Sequence, residues 1–303
     1  MQPTAGRRLL LVHAHPDDES INTGGTIARY AAASDTHVTL VTCTLGELGD
    51  VMLPELAGLT AEAADQLGGY RMAELAAACA ALGLADQRFL GGLGRWRDSG
   101  MVGADGVWAA APAAEMLHPR ALCAPDNRDE QVAALTAILD DVQPQVVIGY
   151  NPVGGYGHPD HVRAHEITMA AAAEHPSVRK LYWMVAPRCD VEDGLAELAG
   201  ATGLPGRLVG IDELASVPDD SVTTRIDVTA QLPAKLAALR AHASQLAVWQ
   251  GPDHRGRAAF ALTNHIAQPV LTHECYTRVD ALGQSHAVET DLFDGIDSAG
   301  SRL

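Results

Sequence analysis

The sequence predicts an α/β protein, a Rossmann-like, doubly wound and mostly parallel sheet with a smaller C-terminal α/β cap. Over residues 1–186, short apolar runs alternate with helix-like segments, and two turns rich in His and Asp follow closely on two of those runs. Beyond 187 the alternation weakens into turns containing Gly and Pro. Repeated βα units pack as a parallel sheet with helices on its faces, and such sheets bind ligands beyond the carboxyl ends of their strands.

Residues 9–14 form a continuous apolar run suited to a strand buried on both faces, and the acidic turn after them leads into a helix-like segment around 26–30. Residues 37–44 read as the second strand, 60–82 as an amphipathic helix, 87–90 as a short strand, 129–142 as a helix and 145–151 as a further strand. Then 160–174 reads as helix and 180–186 as extended. Past the weak stretch at 187–218, residues 223–228 read as a strand and the Ala/Leu-rich 232–248 as a helix. The domain division is therefore 1–186, a catalytic domain, and 187–303, a C-terminal region that completes it and caps part of the pocket.

Composition narrows the function. A chain of 303 residues with 47% hydrophobic content can bury a substantial core. Its net charge of −17, with acidic residues spread along the chain, argues against a nucleic-acid surface, which needs clustered Lys and Arg. A small molecule is the expected partner. The five cysteines are odd in number, far apart and without a CxxC pair, so reduced thiols are expected rather than disulfides or a cysteine zinc site. The apolar run 9–12 is too short for a signal core or a membrane span, so no membrane partner and a cytoplasmic location are expected.

The chemistry sits in His15-Pro16-Asp17-Asp18-Glu19 and His158-Pro159-Asp160-His161. Zinc takes imidazole and carboxylate ligands, and catalytic sites commonly use three. His15 and Asp18 offer two from one turn, and His161 is the best third. Asp17, beside a ligand without being one, is placed as the base for a water whose pKa the metal lowers from ~16 toward ~7. His158 is placed to stabilise an oxyanion or protonate a leaving amine, with Asp160 holding its tautomer and Tyr156 adding a hydroxyl donor. Glu19 and Ser20 read as a helix start, His242 as packed structure, and Trp96, flanked by Arg95, Arg97 and Asp98, as a wall of a sugar site. His254, His265 and His273 show no spacing for a second metal, which speaks against a metallophosphoesterase.

These turns, with Gly154-Gly155-Tyr156-Gly157 before the second, resemble the LmbE-like or PIG-L family of zinc-dependent N-acetylglucosamine deacetylases. Segments 41–47, 67–71 and 94–101 are similar to the branch that works on an N-acetylglucosaminyl inositol in mycothiol biosynthesis. The likeness covers about 9–166, returns weakly at 241–245, and is poor at 102–123 and 187–221. It implies metal ligands at His15, Asp18 and His161, a base at Asp17, oxyanion or acid groups at His158 and Tyr156 oriented by Asp160, and sugar contacts from Arg71 and Asp98. It also implies one divalent ion, zinc with ferrous iron as the alternative, since both accept such ligands. The chain departs from the branch at Asn151, where an acid is common, at Val153, where Asn is common, and at Asp50, where Glu is frequent. A mycothiol S-conjugate amidase and a non-catalytic, metal-dependent carbohydrate-binding protein stay open as alternatives; Asp17 speaks against the second, because binding alone needs no base.

Overall fold

An apolar run without alternation is stable as a strand only where both its faces are covered. That is the situation of β1 (Arg7–His13), in which Leu9, Leu10, Leu11 and Val12 are fully buried. The computed structural model describes residues 6–103, 108–251, 257–282 and 287–296. From β1 the chain runs through α1 (Asp18–Ala31), β2 (Thr36–Thr42), α2 (Leu67–Leu82), β3 (Asp86–Phe89) and the paired β4 (Val102–Gly103) and β5 (Ala109–Ala110). It continues through α3 (Arg128–Val142), β6 (Val146–Tyr150), the single turn α4 (Gly154–Gly157), α5 (Pro159–Ala172) and β7 (Lys180–Val185). The remainder comprises α6 (Arg188–Leu198), β8 (Thr224–Asp227), α7 (Leu232–Ala241), β9 (Leu246–Gln250), β10 (Ala258–Leu262), β11 (Ala267–Pro269) and β12 (His273–Arg278).

The main sheet has seven strands in the order β3-β2-β1-β6-β7-β12-β8. Its first five strands are parallel, and β12 runs antiparallel to both β7 and β8. This bears out the mostly parallel α/β fold expected from the sequence. The strand order reverses between β1 and β6, so the turns that follow those two strands meet at a switch point, where open α/β sheets hold their ligands. Helices α1, α2 and α7 pack together as one layer and α3 with α5 as another.

The described residues after 187 enter the body of the molecule. They supply β12 and β8 to the main sheet, α7 to the layer containing α1, and a separate three-stranded sheet in the order β11-β10-β9.

Two element boundaries differ from expectation. The helix expected from 60 starts at Leu67, because Asp65 at φ 53 adopts a left-handed conformation that a helix cannot continue through. The helix expected over 232–248 ends at Ala241, where His242 leaves it at φ −88 and ψ 45, and 246–250 becomes β9. The weak stretch after 187 contains α6. All five cysteines are free, and among the described residues no helix is long and apolar enough to cross a membrane. His254 lies outside the described residues.

Candidate active site

The first turn leaves β1 at His13 and enters α1 at Asp17, its N-cap. An N-cap Asp ordinarily accepts a bond from its own helix. Asp17 makes no such side-chain bond; at φ 117 its carboxylate turns away, and Oδ2 accepts from Arg71 Nη2 at 3.1 Å. Asp18 Oδ2 folds back to accept the backbone N–H of His15 at 2.9 Å. Both carboxylates of the first helical turn, Asp18 and Glu19, lie where the helix dipole favours negative charge.

The second turn leaves β6 at Tyr150. Asn151 Oδ1 accepts the Gly155 N–H at 2.8 Å, so the residue that departs from the branch pattern holds the loop. Gly154 has φ 61, and a Cβ there would lie 2.7 Å from that of His161, a close approach only glycine allows. His158 caps α5, its Nδ1 accepting the Asp160 N–H at 3.1 Å, with Pro159 in the first helical position. One turn on, His161 Nδ1 donates to the Gly154 carbonyl at 3.1 Å, which directs a bare Nε2 into the site.

There the side chains converge. His15 Nδ1 lies 3.4 Å from Asp18 Oδ2, and His161 Nε2 lies 3.4 Å from Asp18 Oδ1. His161 Nε2 is buried without a hydrogen bond among the described residues. His15 Nε2 faces Asp160 Oδ2 at 3.2 Å and Asp98 Oδ1 at 3.7 Å. A histidine between a prospective ligand partner on one nitrogen and a carboxylate on the other has the arrangement of a metal ligand braced from behind. Two overlapping groups, His15 with His158 and His161, and His15 with Asp98 and Asp160, keep all their ligand atoms within 4.8 Å of one another. The donor set fits a divalent cation.

Burial alone would lower the His15 pKa, but Asp98, Asp160 and Asp18 overcome it and hold the ring well above its ordinary value. Burial would raise Asp18, yet His161 and His15 keep it well below the usual range. Asp17 is pushed up to about 6 by burial, against the pull of Arg71. His158 is pushed down to about 2 by burial and by the neighbouring His15 and His161, so its ring is neutral. Burial and the Asp18 charge raise the Tyr156 hydroxyl, which stays protonated.

The structure thus brings His15, Asp17, Asp18, Asp98, His158, Asp160 and His161 into one buried cluster, with the half-buried Tyr156 at its edge, its ring edge-on to His161 at 5.2 Å. The Asp160 carboxylate does not touch His158, contrary to the sequence reading: Oδ2 meets His15 and the Ser99 N–H at 2.9 Å, and only the Asp160 backbone amide reaches His158. Trp96 is not a sugar wall; it is fully buried in the core beneath the Arg95 guanidinium, 4.2 Å from the ring centroid. Arg71 and Asp98, implied as sugar contacts, are 3% and 4% exposed and bonded within the chain. Arg71 donates to the Pro16 and Gly46 carbonyls at 2.5 and 2.7 Å, and Asp98 accepts the Leu48 and Gly100 N–H groups. Sequence reasoning missed Tyr150, whose ring stacks on His161 at 4.4 Å. Only its place at the end of a strand that feeds the site could have signalled it.

A mostly parallel α/β sheet with a buried His/Asp cluster at its switch point defines a metal-binding α/β enzyme. Residues 10–172 match the PIG-L family, described as GlcNAc-PI de-N-acetylase, and the chain belongs to that family of deacetylases. A Saccharopolyspora erythraea protein named 1D-myo-inositol 2-acetamido-2-deoxy-alpha-D-glucopyranoside deacetylase 1 is 54% identical over 99% of this chain and 98% of its own. An Actinosynnema mirum protein named 1D-myo-inositol 2-acetamido-2-deoxy-alpha-D-glucopyranoside deacetylase is 56% identical over 98% of this chain and 99% of its own. Among solved structures, a deacetylase–teicoplanin complex from the teicoplanin biosynthesis pathway shares the fold, at TM-score 0.51 and 19% identity, over 90% of this chain and 99% of that one.

Proposed function

We propose that the chain removes acetate from 1D-myo-inositol 2-acetamido-2-deoxy-alpha-D-glucopyranoside in mycothiol biosynthesis, leaving the free glucosaminyl-inositol, with one divalent ion held by His15, Asp18 and His161. The observation that carries the chemistry is the bare, buried Nε2 of His161 facing Asp18 beside His15, with a carboxylate, Asp17, next to them that binds neither its own helix nor this group. The substrate follows from relatives more than half identical over nearly the whole chain. Zinc suits the two imidazoles and one carboxylate, and when bound it would acidify a water and polarise the amide carbonyl.

The residues of the chain supply the rest. Asp17, anchored through Oδ2 to Arg71, takes the proton of the attacking water on its other oxygen. A carboxylate raised to about 6 holds that proton more readily than an ordinary aspartate and can pass it to the departing nitrogen. Water adds to the carbonyl carbon, the C–N bond breaks, and acetate and a free amine leave. The Nδ1 of His158 accepts a backbone N–H, so the neutral ring carries its proton on Nε2 and acts as an oxyanion donor together with the Tyr156 hydroxyl. Asp160 orients His15 rather than His158. Arg71 and Asp98 shape the sugar side by holding Asp17 and the 98–100 turn. The cytoplasm, where thiols stay reduced, suits the free cysteines.

The test is amine release from the acetylated glucosaminyl-inositol and from a mycothiol S-conjugate, with metal content measured on the same sample. Preferential turnover of the first by metal-loaded protein is expected. Preference for the conjugate, or no release from either, would overturn the assignment.

A further inference from the structure

We propose that Glu19, backed by His242 from the far end of the chain, is a positioning residue for Asp17. The inference rests on the role assigned above to Asp17 and extends it to residues outside the reacting cluster.

Asp17 is held at φ 117 and ψ −33, a conformation unfavourable for any residue with a Cβ. Something must pin it. Its carbonyl accepts the Ser20 and Ile21 amides, both at 3.0 Å, which fixes the start of the helix. Its own amide points the other way and donates to Glu19 Oε2 at 3.0 Å. In a capping box the N-cap side chain bonds into the helix and a glutamate three residues on bonds back to the N-cap amide, whereas Glu19, two residues on, makes a bond of the second kind only. That leaves the Asp17 carboxylate free for Arg71 and for chemistry.

Glu19 is itself fixed. Its Oε1 accepts from Ser20 Oγ at 2.6 Å and meets His242 Nε2 at 2.7 Å, and both Glu19 and His242 are fully buried. Each side chain stands where removing the other leaves a buried polar group without its partner. His242 is in turn locked: it has just left α7, and its carbonyl accepts the Gln245 and Leu246 amides at 2.9 and 3.1 Å. Ser244, two residues on, donates through N and Oγ to Glu74 of α2 at 2.8 and 2.6 Å. Glu74 lies one helical turn from Arg71, which holds the Asp17 carboxylate. Asp17 is therefore gripped at its side chain by Arg71 and at its amide by Glu19, and α2 braces both grips. The early end of α7, which shortened an expected helix, is what delivers His242 to this place.

The test compares Glu19→Ala, Glu19→Gln and His242→Ala with the unaltered, metal-loaded protein. Misplacing a catalytic group by about an ångström costs roughly 10²-fold in rate, and a loss on that order in kcat is expected for Glu19→Ala, with KM and bound metal unchanged. Glu19→Gln keeps an oxygen for the Asp17 amide and should recover most of the rate. His242→Ala, which leaves the first helical turn intact, should lower kcat in the same pattern, and it carries the test if Glu19→Ala does not fold. Amide hydrogen exchange at Asp17 should lose protection in both alanine variants and keep it in Glu19→Gln, with Ser20 and Ile21 unaffected. An unchanged kcat, a parallel change in KM or metal content, no recovery with Gln, or loss of protection along the whole helix would overturn the positioning role. If the unaltered protein released no amine, the functional reading would fail, and the exchange pattern would still decide whether Glu19 holds Asp17.

Discussion

Tyr150 has no step in the proposed reaction, yet it touches groups assigned to it. Its ring stacks on His161 with an interplanar angle of 26°, its hydroxyl accepts the Ala14 N–H at 3.1 Å, and the Asp18 carboxylate faces it. Residues that orient metal ligands commonly affect metal affinity by ~10–100-fold. Tyr150→Phe keeps the stack and removes the hydroxyl, so a chelator competition titration should show weaker metal binding in that range, with kcat at saturating metal nearly unchanged. Equal affinity would show that the hydroxyl has no part in holding Asp18. At this scale the residues that the structure gathers into the cluster were legible because His and Asp crowded into Pro-restricted turns are chemically conspicuous. An aromatic residue closing a strand has no such signature. The direction of Asp160 was also hidden: two residues into a helix the backbone amide meets the N-cap side chain, which leaves the Asp160 carboxylate to turn toward His15.

At the level of elements, strands β1, β2, β6 and β7 fall within a residue or two of their expected ranges, since each is rich in apolar, β-branched or aromatic residues that favour a buried strand. Strand β12 escaped notice because its sequence, HECYTR, carries a charge in its interior. Glu274 is buried there only because the Gly25 and Thr26 amides, at 2.9 and 2.7 Å, and Lys235, at 2.6 Å, all bond to it, and those partners are distant in sequence. A neighbouring contact explains Gly25 in the middle of α1. A Cβ at Gly25 would lie 2.5 Å from that of Val228, so the helix can approach the end of β8 only without a side chain. Gly25→Ala should destabilise by about 1–3 kcal/mol, the usual range for overpacking, read as a lower urea midpoint with an unchanged slope. A neutral or stabilising result would mean that α1 does not press on Val228.

The molecule as a whole is closed by its last described segment, 287–296. Glu289 accepts from Lys180 and Tyr182 of β7 at 2.8 and 2.7 Å, from Thr224 of β8 at 2.9 Å and from Arg278 of β12 at 2.6 Å, tying three strands together. Burial alone would raise its pKa; Lys180, Tyr182 and Thr224 overcome that and hold the carboxyl below its ordinary 4.5. A depressed folded-state pKa adds stability above the unfolded value and loses it as the pH falls through the folded one. Stability should therefore drop below about 4.5, and Glu289→Gln should be less stable at neutral pH while showing less of that acid loss. An identical pH dependence in the variant would remove Glu289 as its source. The parallel half of the fold was legible as a pattern of short-range units, whereas β12 and the 287–296 segment join through long-range pairings that no local pattern encodes. The site draws on both halves, with its reactive groups on 15–161 and its buttress at 242.

Everything in the proposed reaction passes through Asp17, so the most direct measurement is amine release by Asp17→Asn against the unaltered protein at equal bound metal. A loss of about 10²-fold or more in kcat, with metal content unchanged, is the expected result for a removed general base. Turnover within about twofold of the unaltered protein at the same metal content, a difference too small for general-base catalysis, would contradict it.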